Sequence, residues 1–341
     1  MRRDLRAGLI GLGAMGQQHA RVLSQLDGVE LVGIADPQGA RKGTTPVPVV
    51  RSLPELLALD LDYAVVACPT SMHEAVGLEL AANGVCALIE KPLAQSVEAA
   101  RRLVEAFERH CLVASVGHIE RYNPALRNLR TRLEAGELGE VFQVATRRQG
   151  PFPRRIMDVG VIMDLATHDI DLTSWMTGQP YASVSARTLR RSGRPYEDMV
   201  AAVGELADGT IVNHLVNWLS PLKERSTVVT GEHGCFVADT LTADLSFYAN
   251  GAASTEWEVL RNFRGITEGS MIRYAITKRE PLWVEHECFR DAVRGVRSDI
   301  VALREGLRTV EVASAVVRSA AQAGTVPCGP ASDFPAAVKG S

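Results

Sequence analysis

The sequence lacks the features that would place the protein in a membrane, in an oxidising compartment or on a nucleic acid. No apolar stretch is long enough to span a bilayer, and glycine at once interrupts the short apolar run after the basic first residues. The six cysteines show no C-x-x-C spacing, which is typical of free thiols in a reducing cytosol. A net charge of -3 gives no general attraction to nucleic acid or to an anionic membrane. We therefore expect a cytoplasmic protein that binds neither.

Aromatic residues are also few, at 5%, and there are no internal repeats. Hydrophobic residues nevertheless make up 46% of the 341 positions, an ordinary share for a globular protein. A chain of this length is more typical of two domains than of one. The sequence therefore predicts a two-domain globular protein.

Glycine is concentrated in the turn Gly-Leu-Gly-Ala-Met-Gly at residues 11–16. A short apolar strand precedes the turn, and a helical pattern follows over residues 14–27. In a dinucleotide fold Gly11 makes the tight turn, Gly13 lets the backbone approach the pyrophosphate, and Gly16 lets the helix pack on the strand. Ala14 and Met15 then open the helix, whose free N–H groups face the phosphates. These residues predict a dinucleotide site.

Asp36 ends a second apolar strand at residues 31–35, 20 residues after the last glycine of the turn. A carboxylate here accepts hydrogen bonds from the adenosine ribose and repels a 2′-phosphate, which favours NAD over NADP. Arg41 and Lys42 follow closely and could soften that preference, so NADP stays possible.

Two further buried strands, at residues 62–68 and 85–90, end where ligands bind in an open α/β sheet. We therefore expect the residues after each strand to lie near the cofactor: Cys68, Pro69, Thr70, His73, Glu90 and Lys91. His73 could instead be an ordinary residue of a helix at residues 74–83. Lys91 at such a mouth can be partly desolvated, which suits it to proton transfer, although a solvated surface lysine is the alternative.

The chain resembles the Gfo/Idh/MocA oxidoreductases in this motif set. The motifs are the glycine turn, Asp36, the loop at residues 69–73, Glu-Lys-Pro at 90–92 and Gly-His-Ile-Glu-Arg-Tyr-Asn-Pro at 117–124. The resemblance implies an N-terminal Rossmann domain and a C-terminal α+β domain with a large, mostly antiparallel sheet, which we place at residues 1–120 and 121–335. It also matches Lys91 to the family's catalytic lysine. Residues 117–124 and 158–171 look most like the UDP-N-acetylglucosamine 3-dehydrogenase group.

Asp164 and His168 are four residues apart on a predicted helix over residues 161–177, which puts both side chains on one face. The resemblance matches them to the acid and histidine of the family's second-domain motif. Asp171 lies one turn further on, and Asp164, His168 and Asp171 together could hold a divalent ion. No cysteine or second histidine accompanies them, however, and oxidation of an alcohol by a nicotinamide needs no metal, so we predict none. A purely structural Asp–His pair is the other alternative.

His168 and Lys91 compete for the role of base. Histidine titrates near neutrality without help, whereas lysine needs burial or a neighbouring cation. We expect His168 to take the hydroxyl proton, Lys91 to donate to the developing alkoxide and Asp164 to orient the hydroxyl or the imidazole. The reverse assignment of Lys91 and His168 stays open.

Polar and basic residues follow the last Rossmann strand, where substrate contacts are expected. Arg121, Tyr122 and Asn123 are candidates for sugar hydroxyls or a phosphate. Four arginines then surround a Gly-Pro-Phe-Pro segment and would suit a diphosphate, although at least two of them are expected to be solvated surface residues. These are Arg147, Arg148, Arg154 and Arg155.

Alternating strands between residues 182 and 248 predict an antiparallel sheet, with a hairpin turn at Asp208-Gly209. One sheet face is free, and a free apolar face often becomes a subunit interface. We therefore expect a homodimer or homotetramer.

The leading functional hypothesis is an NAD-dependent dehydrogenase that oxidises a ring hydroxyl, at C3, of a nucleotide sugar such as UDP-N-acetylglucosamine. The alternatives are an inositol or free-sugar dehydrogenase and a 3-ketosugar reductase. A non-catalytic regulator that only senses a dinucleotide is a fourth possibility, against which the joint presence of Lys91, Asp164 and His168 argues.

Overall fold

The chain divides into two compact units in a computed structural model, which describes residues 3–39, 47–152, 159–251 and 269–329. The first unit comprises Met1–Tyr122 and Glu280–Ser314, and the second Asn123–Arg279 and Ala315–Ser341. The chain first passes from one unit to the other after Tyr122, two residues beyond the domain boundary predicted from the sequence at residue 120. The return of residues 280–314 to the first unit is not part of the predicted domain division.

A six-stranded parallel sheet forms the centre of the first unit, in the order β3-β2-β1-β4-β5-β6. Its strands are β1 (Leu5–Ile10), β2 (Val29–Ala35), β3 (Val49–Val50), β4 (Tyr63–Val66), β5 (Cys86–Glu90) and β6 (Ala114–Gly117). The central strands are apolar and buried on both faces, as parallel sheets require. The predicted Rossmann architecture is confirmed.

Helices flank this sheet: α1 (Ala14–Leu23), α2 (Leu53–Leu57), α3 (Thr70–Ala82) and α4 (Val97–Arg109). Ser96 caps α4 by accepting a hydrogen bond from the Ala99 N–H. Helix α3 begins at Thr70, four residues earlier than predicted, with Pro69 at its N-cap position. A 3₁₀ turn, Ile119–Tyr122, ends the continuous part of the unit.

The returning segment contributes α7 (Pro281–Val293) and most of α8 (Leu303–Gln322). Phe289 of α7 is 1% exposed and belongs to the same buried cluster as Leu9 and Tyr63. The rings of Tyr63 and Phe289 meet edge to face at 5.4 Å. The core of the first unit is therefore closed by residues from near the end of the chain.

The second unit contains a nine-stranded sheet in the order β14-β13-β12-β11-β7-β10-β9-β8-β15. Its strands are β7 (Val141–Pro151), β8 (Tyr181–Leu189), β9 (Met199–Leu206), β10 (Ile211–Asn217), β11 (Leu219–Gly231), β12 (Gly234–Asp239), β13 (Asp244–Ala249), β14 (Met271–Arg273) and β15 (Val326–Pro327). Among the described strands of this second sheet, only β7 and β10 pair in parallel. The predicted large, mostly antiparallel sheet is confirmed, and Gly209, at φ +89°, forms the predicted hairpin turn.

The helices of the second unit differ from the prediction at one important point. Helix α5 (Pro124–Glu134) was not predicted, and the predicted single helix over residues 161–177 is two structures. A π-helical segment, Ile162–Ala166, is followed by α6 (Thr167–Thr177). No helix in the described part of the chain is long and apolar enough to cross a membrane.

The core of the second sheet contains a buried histidine between two hydroxyl groups. His214 of β10 is 5% exposed; its Nδ1 lies 2.7 Å from Thr146 Oγ1, and its Nε2 lies 2.7 Å from the Tyr181 hydroxyl. Burial lowers the pKa of His214 to about 4. The imidazole is therefore neutral near pH 7 and serves the packing of β7, β8 and β10.

Candidate active site

The glycine turn between β1 and α1 has the backbone that a phosphate cradle requires. Gly11 has φ +93°, and a Cβ there would lie 2.7 Å from the Ala67 carbonyl oxygen. A Cβ on Gly16 would overlap the Gly11 carbonyl oxygen, whereas a Cβ on Gly13 would meet nothing within 4 Å. Gly11 and Gly16 are thus required by the fold. Gly13 leaves open space for a ligand.

The N-terminus of α1 suits an anion. Gly13 is its N-cap and offers no side-chain hydrogen bond, and the first turn, which begins with Ala14 and Met15, carries no acidic residue. The first N–H groups of the helix are therefore available to donate hydrogen bonds to a bound group, and the helix dipole favours negative charge there. These residues fit the pyrophosphate of NAD.

Asp36 is held at the end of β2 by two main-chain donors. Its carboxylate accepts from the Leu12 N–H at 2.7 Å and from the Gln38 N–H at 2.8 Å. This fixes a carboxylate beside the glycine turn, where the predicted contact with the ribose requires it. Arg41 and Lys42, which bear on the choice between NAD and NADP, lie outside the described residues.

The residues after β4 that were predicted to lie near the cofactor differ in exposure and in their contacts. Cys68 is a free thiol whose pKa burial raises to about 11, so it is not a nucleophile near neutral pH. Pro69 is exposed and Thr70 half-buried at the start of α3. His73 is 1% exposed, with Nδ1 3.0 Å from the Pro92 carbonyl oxygen and Nε2 3.1 Å from that of Cys68. Its ring ties together the loops after β4 and β5, and its contact with the cofactor stays a prediction.

Glu90 and Lys91 end β5 at the same edge of the sheet. Glu90 is 7% exposed; its Oε1 lies 2.9 Å from His19 Nε2, and its Oε2 accepts the Lys91 N–H at 3.1 Å. Burial raises the pKa of Glu90, but the His19 hydrogen bond and the nearby Lys91 charge outweigh it, so the net shift is downward. Glu90 is therefore ionised and engaged with the protein, while the half-buried Lys91 follows it at the mouth of the sheet.

Three predicted substrate residues are occupied by structural contacts. Arg121 is 7% exposed and pairs with Glu305 at 2.7 Å, and the Tyr122 hydroxyl donates to the Asp299 carbonyl oxygen at 3.0 Å. Asn123 caps α5 by accepting from the Ala125 N–H at 3.0 Å. These contacts stabilise the crossing of the chain and the start of α5, and the role of the three residues as sugar contacts stays a prediction.

Asp164 and His168 lie on either side of the junction between the π-helical segment and α6. Each is 7% exposed. A π turn places successive residues at a smaller angle than an α turn and is frequent at functional sites. Among the described residues, no group of three or more His, Cys, Asp or Glu side chains could hold a metal ion. The second unit thus presents an acid and an imidazole on one short, irregular stretch of helix.

A buried ion pair joins the first turn of α6 to strand β7. Arg148 Nε of β7 lies 3.1 Å from both carboxylate oxygens of Asp169, the residue after His168, and the two side chains are 3% and 2% exposed. The alternation of side chains along β7 puts Arg147 on the other sheet face, half-exposed and 3.7 Å from Glu224. The structure therefore does not bring Arg147 together with Asp164 and His168, and Arg148 is a buried structural residue. Arg154 and Arg155 lie outside the described residues.

The loop before β9 fixes the start of the π-helical segment, and sequence reasoning missed it. The Glu197 carboxylate accepts from the Ile162 N–H at 3.0 Å, and the Glu197 carbonyl oxygen accepts from the Val161 N–H at 3.0 Å. A Cβ on Gly160 would overlap the Glu197 carboxylate, so a larger residue there would displace this carboxylate from the Ile162 N–H. No local pattern signalled this contact, because its partners are more than 30 residues apart in sequence.

Comparison with known proteins gives matches over most of the chain. Residues 5–118 match the model of the GFO_IDH_MocA oxidoreductase family with an NAD-binding Rossmann fold, and residues 126–237 match the model of the GFO/IDH/MocA C-terminal domain. A UDP-N-acetylglucosamine 3-dehydrogenase of Acidithiobacillus ferrooxidans is 30% identical over 296 residues, or 86% of this chain and 90% of the relative. Its crystal structure superposes with a TM-score of 0.83 at 29% identity, covering 93% and 98% of the two chains.

Other relatives act on inositol according to their names. The inositol 2-dehydrogenase 4 of Saccharopolyspora erythraea is 30% identical over 228 residues, which cover 62% of this chain and 66% of the relative. Together these matches confirm the predicted family resemblance, the oxidoreductase class and NAD as the cofactor.

Proposed function

Since this chain belongs to the Gfo/Idh/MocA oxidoreductase family, we propose that it oxidises a ring hydroxyl, at C3, of a nucleotide sugar such as UDP-N-acetylglucosamine. The observation that carries the proposal is the match to the A. ferrooxidans UDP-N-acetylglucosamine 3-dehydrogenase, which spans 90% of that relative. Its crystal structure superposes across both units, so the likeness is not confined to the cofactor domain.

NAD supplies the acceptor for the hydride that leaves the carbinol carbon. The protein must take the hydroxyl proton as the C–H bond breaks and the carbonyl forms. We assign the proton to His168, a charge-assisted hydrogen bond to the substrate oxygen to Lys91, and the orientation of the hydroxyl or of the imidazole to Asp164. Glu90, Gly11 and Gly16 fix the edge of the first sheet that presents Lys91 and the phosphate cradle.

Substitution of the two proton-handling residues tests the assignment. Lys91→Met and His168→Asn should each lower kcat by about 10²–10⁴-fold, the usual contribution of a general acid or base. Lys223→Met, at an exposed lysine of β11, is the matched control and should leave kcat unchanged. The pH dependence of the residual activity distinguishes the two candidate bases, because loss of the true base removes the acidic limb of the profile. Full turnover in both variants would refute the assignment.

A free polyol is the second candidate substrate, and specific observations favour it. Several relatives are inositol 2-dehydrogenases at 27–32% identity. Moreover, one of the two described arginines expected to bind a diphosphate is paired in the interior and the other faces away from α6. The argument for a nucleotide sugar therefore rests on the similarity along the whole chain and not on the arginines.

A substrate panel decides between these functions. Purified protein is mixed with NAD and UDP-sugars, free hexoses or inositols, with a ketone trap because alcohol oxidation is uphill, and reduced nicotinamide is followed by absorbance. Turnover only with UDP-N-acetylhexosamines supports the proposal, and turnover only with a free polyol replaces it. NADH oxidation with a 3-ketosugar alone would indicate a reductase. NAD binding without any turnover would indicate a regulator.

We also propose that the free face of the nine-stranded sheet pairs with a second copy of the chain, as a homodimer or homotetramer. Val203 and Ile211 on adjacent strands are 54% and 45% exposed and lie on the face opposite the buried residues of the sheet. Light scattering of the wild type and of Val203→Lys tests this, since a charge at the centre of a self-complementary face is repeated by symmetry. An unchanged mass in the variant would rule out this face.

A further inference from the structure

Glu90 lies at one end of a buried chain of polar side chains in the first unit. His19 of α1 is fully buried; its Nε2 contacts Glu90 Oε1 at 2.9 Å, and its Nδ1 lies 2.8 Å from His286 Nε2 of α7. The two imidazole planes are at 78°, so one ring edge points at the nitrogen of the other. Three side chains from β5, α1 and α7 thus form one hydrogen-bonded series, which the glycine motif and the Glu-Lys-Pro motif do not account for.

The protonation states of the three side chains decide which group donates each hydrogen bond in the series. An ionised carboxylate only accepts hydrogen bonds, so His19 Nε2 carries the hydrogen toward Glu90. Burial, and the neighbouring His19, keep the pKa of His286 well below its ordinary value, so His286 is neutral. Either His286 donates to a neutral His19, or a protonated His19 donates to both partners. In both states the Glu90 carboxylate has one fixed donor.

The Glu90 side chain is in close contact with groups on two sides. On the β6 side, a Cβ added to Gly117 would lie 3.2 Å from Glu90 Cα and Cδ. On the other side the carboxylate meets His19, and its second oxygen holds the main-chain N–H of Lys91. The carboxylate therefore links the helix that faces the cofactor phosphates to the peptide unit that carries Lys91.

We propose that His19 and His286 are positioning residues that hold the Glu90 carboxylate, and through it the main chain of Lys91, at the carboxyl edge of β5. The inference rests on the role assigned to Lys91 under the proposed function. A misplacement of about 1 Å at a reacting group can lower the rate by about 100-fold, so a loosened Lys91 affects turnover more than binding.

Variants of His19 separate positioning from mere stability. His19→Leu removes both contacts, whereas His19→Gln keeps a donor in reach of Glu90 and loses only the contact with His286. We expect kcat to fall about 10–100-fold in His19→Leu with KM changed less than about threefold, and His19→Gln to recover most of the loss. His286→Phe keeps an aromatic ring without the donor and should lower kcat a few-fold. His214→Gln is the matched control: an equally buried histidine with two partners, in the second unit, whose loss should leave kcat unchanged.

A measurement without substrate keeps this test independent of the proposed function. Hydrogen exchange by mass spectrometry should show faster exchange in residues 86–93 of His19→Leu and His286→Phe, and wild-type exchange there in His214→Gln. NADH fluorescence reports cofactor binding in each variant. Unchanged exchange in both variants, or a kcat within twofold of wild type in His19→Leu, would overturn the inference. If the wild type oxidises some other alcohol, or none, the proposed substrate fails while the exchange result still decides the positioning.

Discussion

The two units each bury a histidine with both ring nitrogens in contact, and the partners of the two rings differ. His19 lies between a carboxylate and another imidazole, at the edge of the parallel sheet. His214 lies between two hydroxyl groups, in the middle of the antiparallel sheet. Hydroxyl groups satisfy a neutral imidazole and leave it as a packing element, whereas an ionised partner at a strand end connects the ring to the charges of the site. The partner, and not burial, separates a structural histidine from a functional one.

The largest effect is expected where the second unit buries full charges. Arg148→Met removes the guanidinium that lies against the Asp169 carboxylate, in a region where both side chains are about 3% exposed or less, which should destabilise the protein by roughly 3–5 kcal/mol. Denaturant unfolding measures the loss. The double variant Arg148→Met with Asp169→Leu should regain most of it, because no isolated charge remains buried. If Arg148→Met were as stable as the wild type, the buried ion pair would not contribute to the free energy of unfolding.

The next effect is a loss of stability at low pH that is caused by His214. The folded pKa of His214 is about 4, below the unfolded value of about 6.5, so the unfolded state binds more protons as the pH falls. Its contribution to stability is complete above pH 6.5 and is lost progressively down to about pH 4, by about 3 kcal/mol in total. Comparison of unfolding at several pH values between wild type and His214→Gln should show this loss in the wild type alone. Parallel pH curves would contradict it.

The smallest effect concerns the neighbour of His286. Glu285 is 1% exposed; burial, and then the nearby Glu90, raise its pKa well above the ordinary value, and neither of its oxygens has a hydrogen-bond partner among the described residues. A raised folded pKa contributes stability below the unfolded value of about 4.3, and that contribution is lost as the pH rises. Glu285→Gln should therefore unfold at a higher temperature than wild type near pH 7 and at nearly the same temperature near pH 4. Equal stability at both pH values would mean that the carboxyl is not held neutral.

The sequence predicted the parts of the site that follow from local patterns. The glycine turn, the acid after β2 and the lysine after β5 were placed correctly at the sheet edge, because strand ends and glycine conformations are set by neighbouring residues. Asn123 and Pro124 illustrate the opposite case. A cap followed by proline is a helix-start signal, yet Asn123 was interpreted as a substrate contact and Pro124 only as part of the family motif, and α5 was not predicted.

The rest of the site depends on partners far apart in the chain. His19 and His286 are 267 positions apart, and Arg148 and Asp169 lie on a strand and a helix that only the fold brings together. No period or spacing encodes such pairs. The π-helical segment was also not predictable, since its start is fixed by Glu197 from another loop and its residues continue the pattern of an ordinary helix.

The return of residues 280–314 to the first unit has a consequence for how the protein is made. During synthesis the ribosome produces the six parallel strands first, but Phe289, which packs against Tyr63, is added only after the whole antiparallel sheet up to β14 has been translated. The nascent first unit therefore carries an open apolar face for most of its time on the ribosome, and a fragment ending at Tyr122 should recruit chaperones or aggregate, whereas co-expression with a peptide spanning residues 280–314 should rescue it.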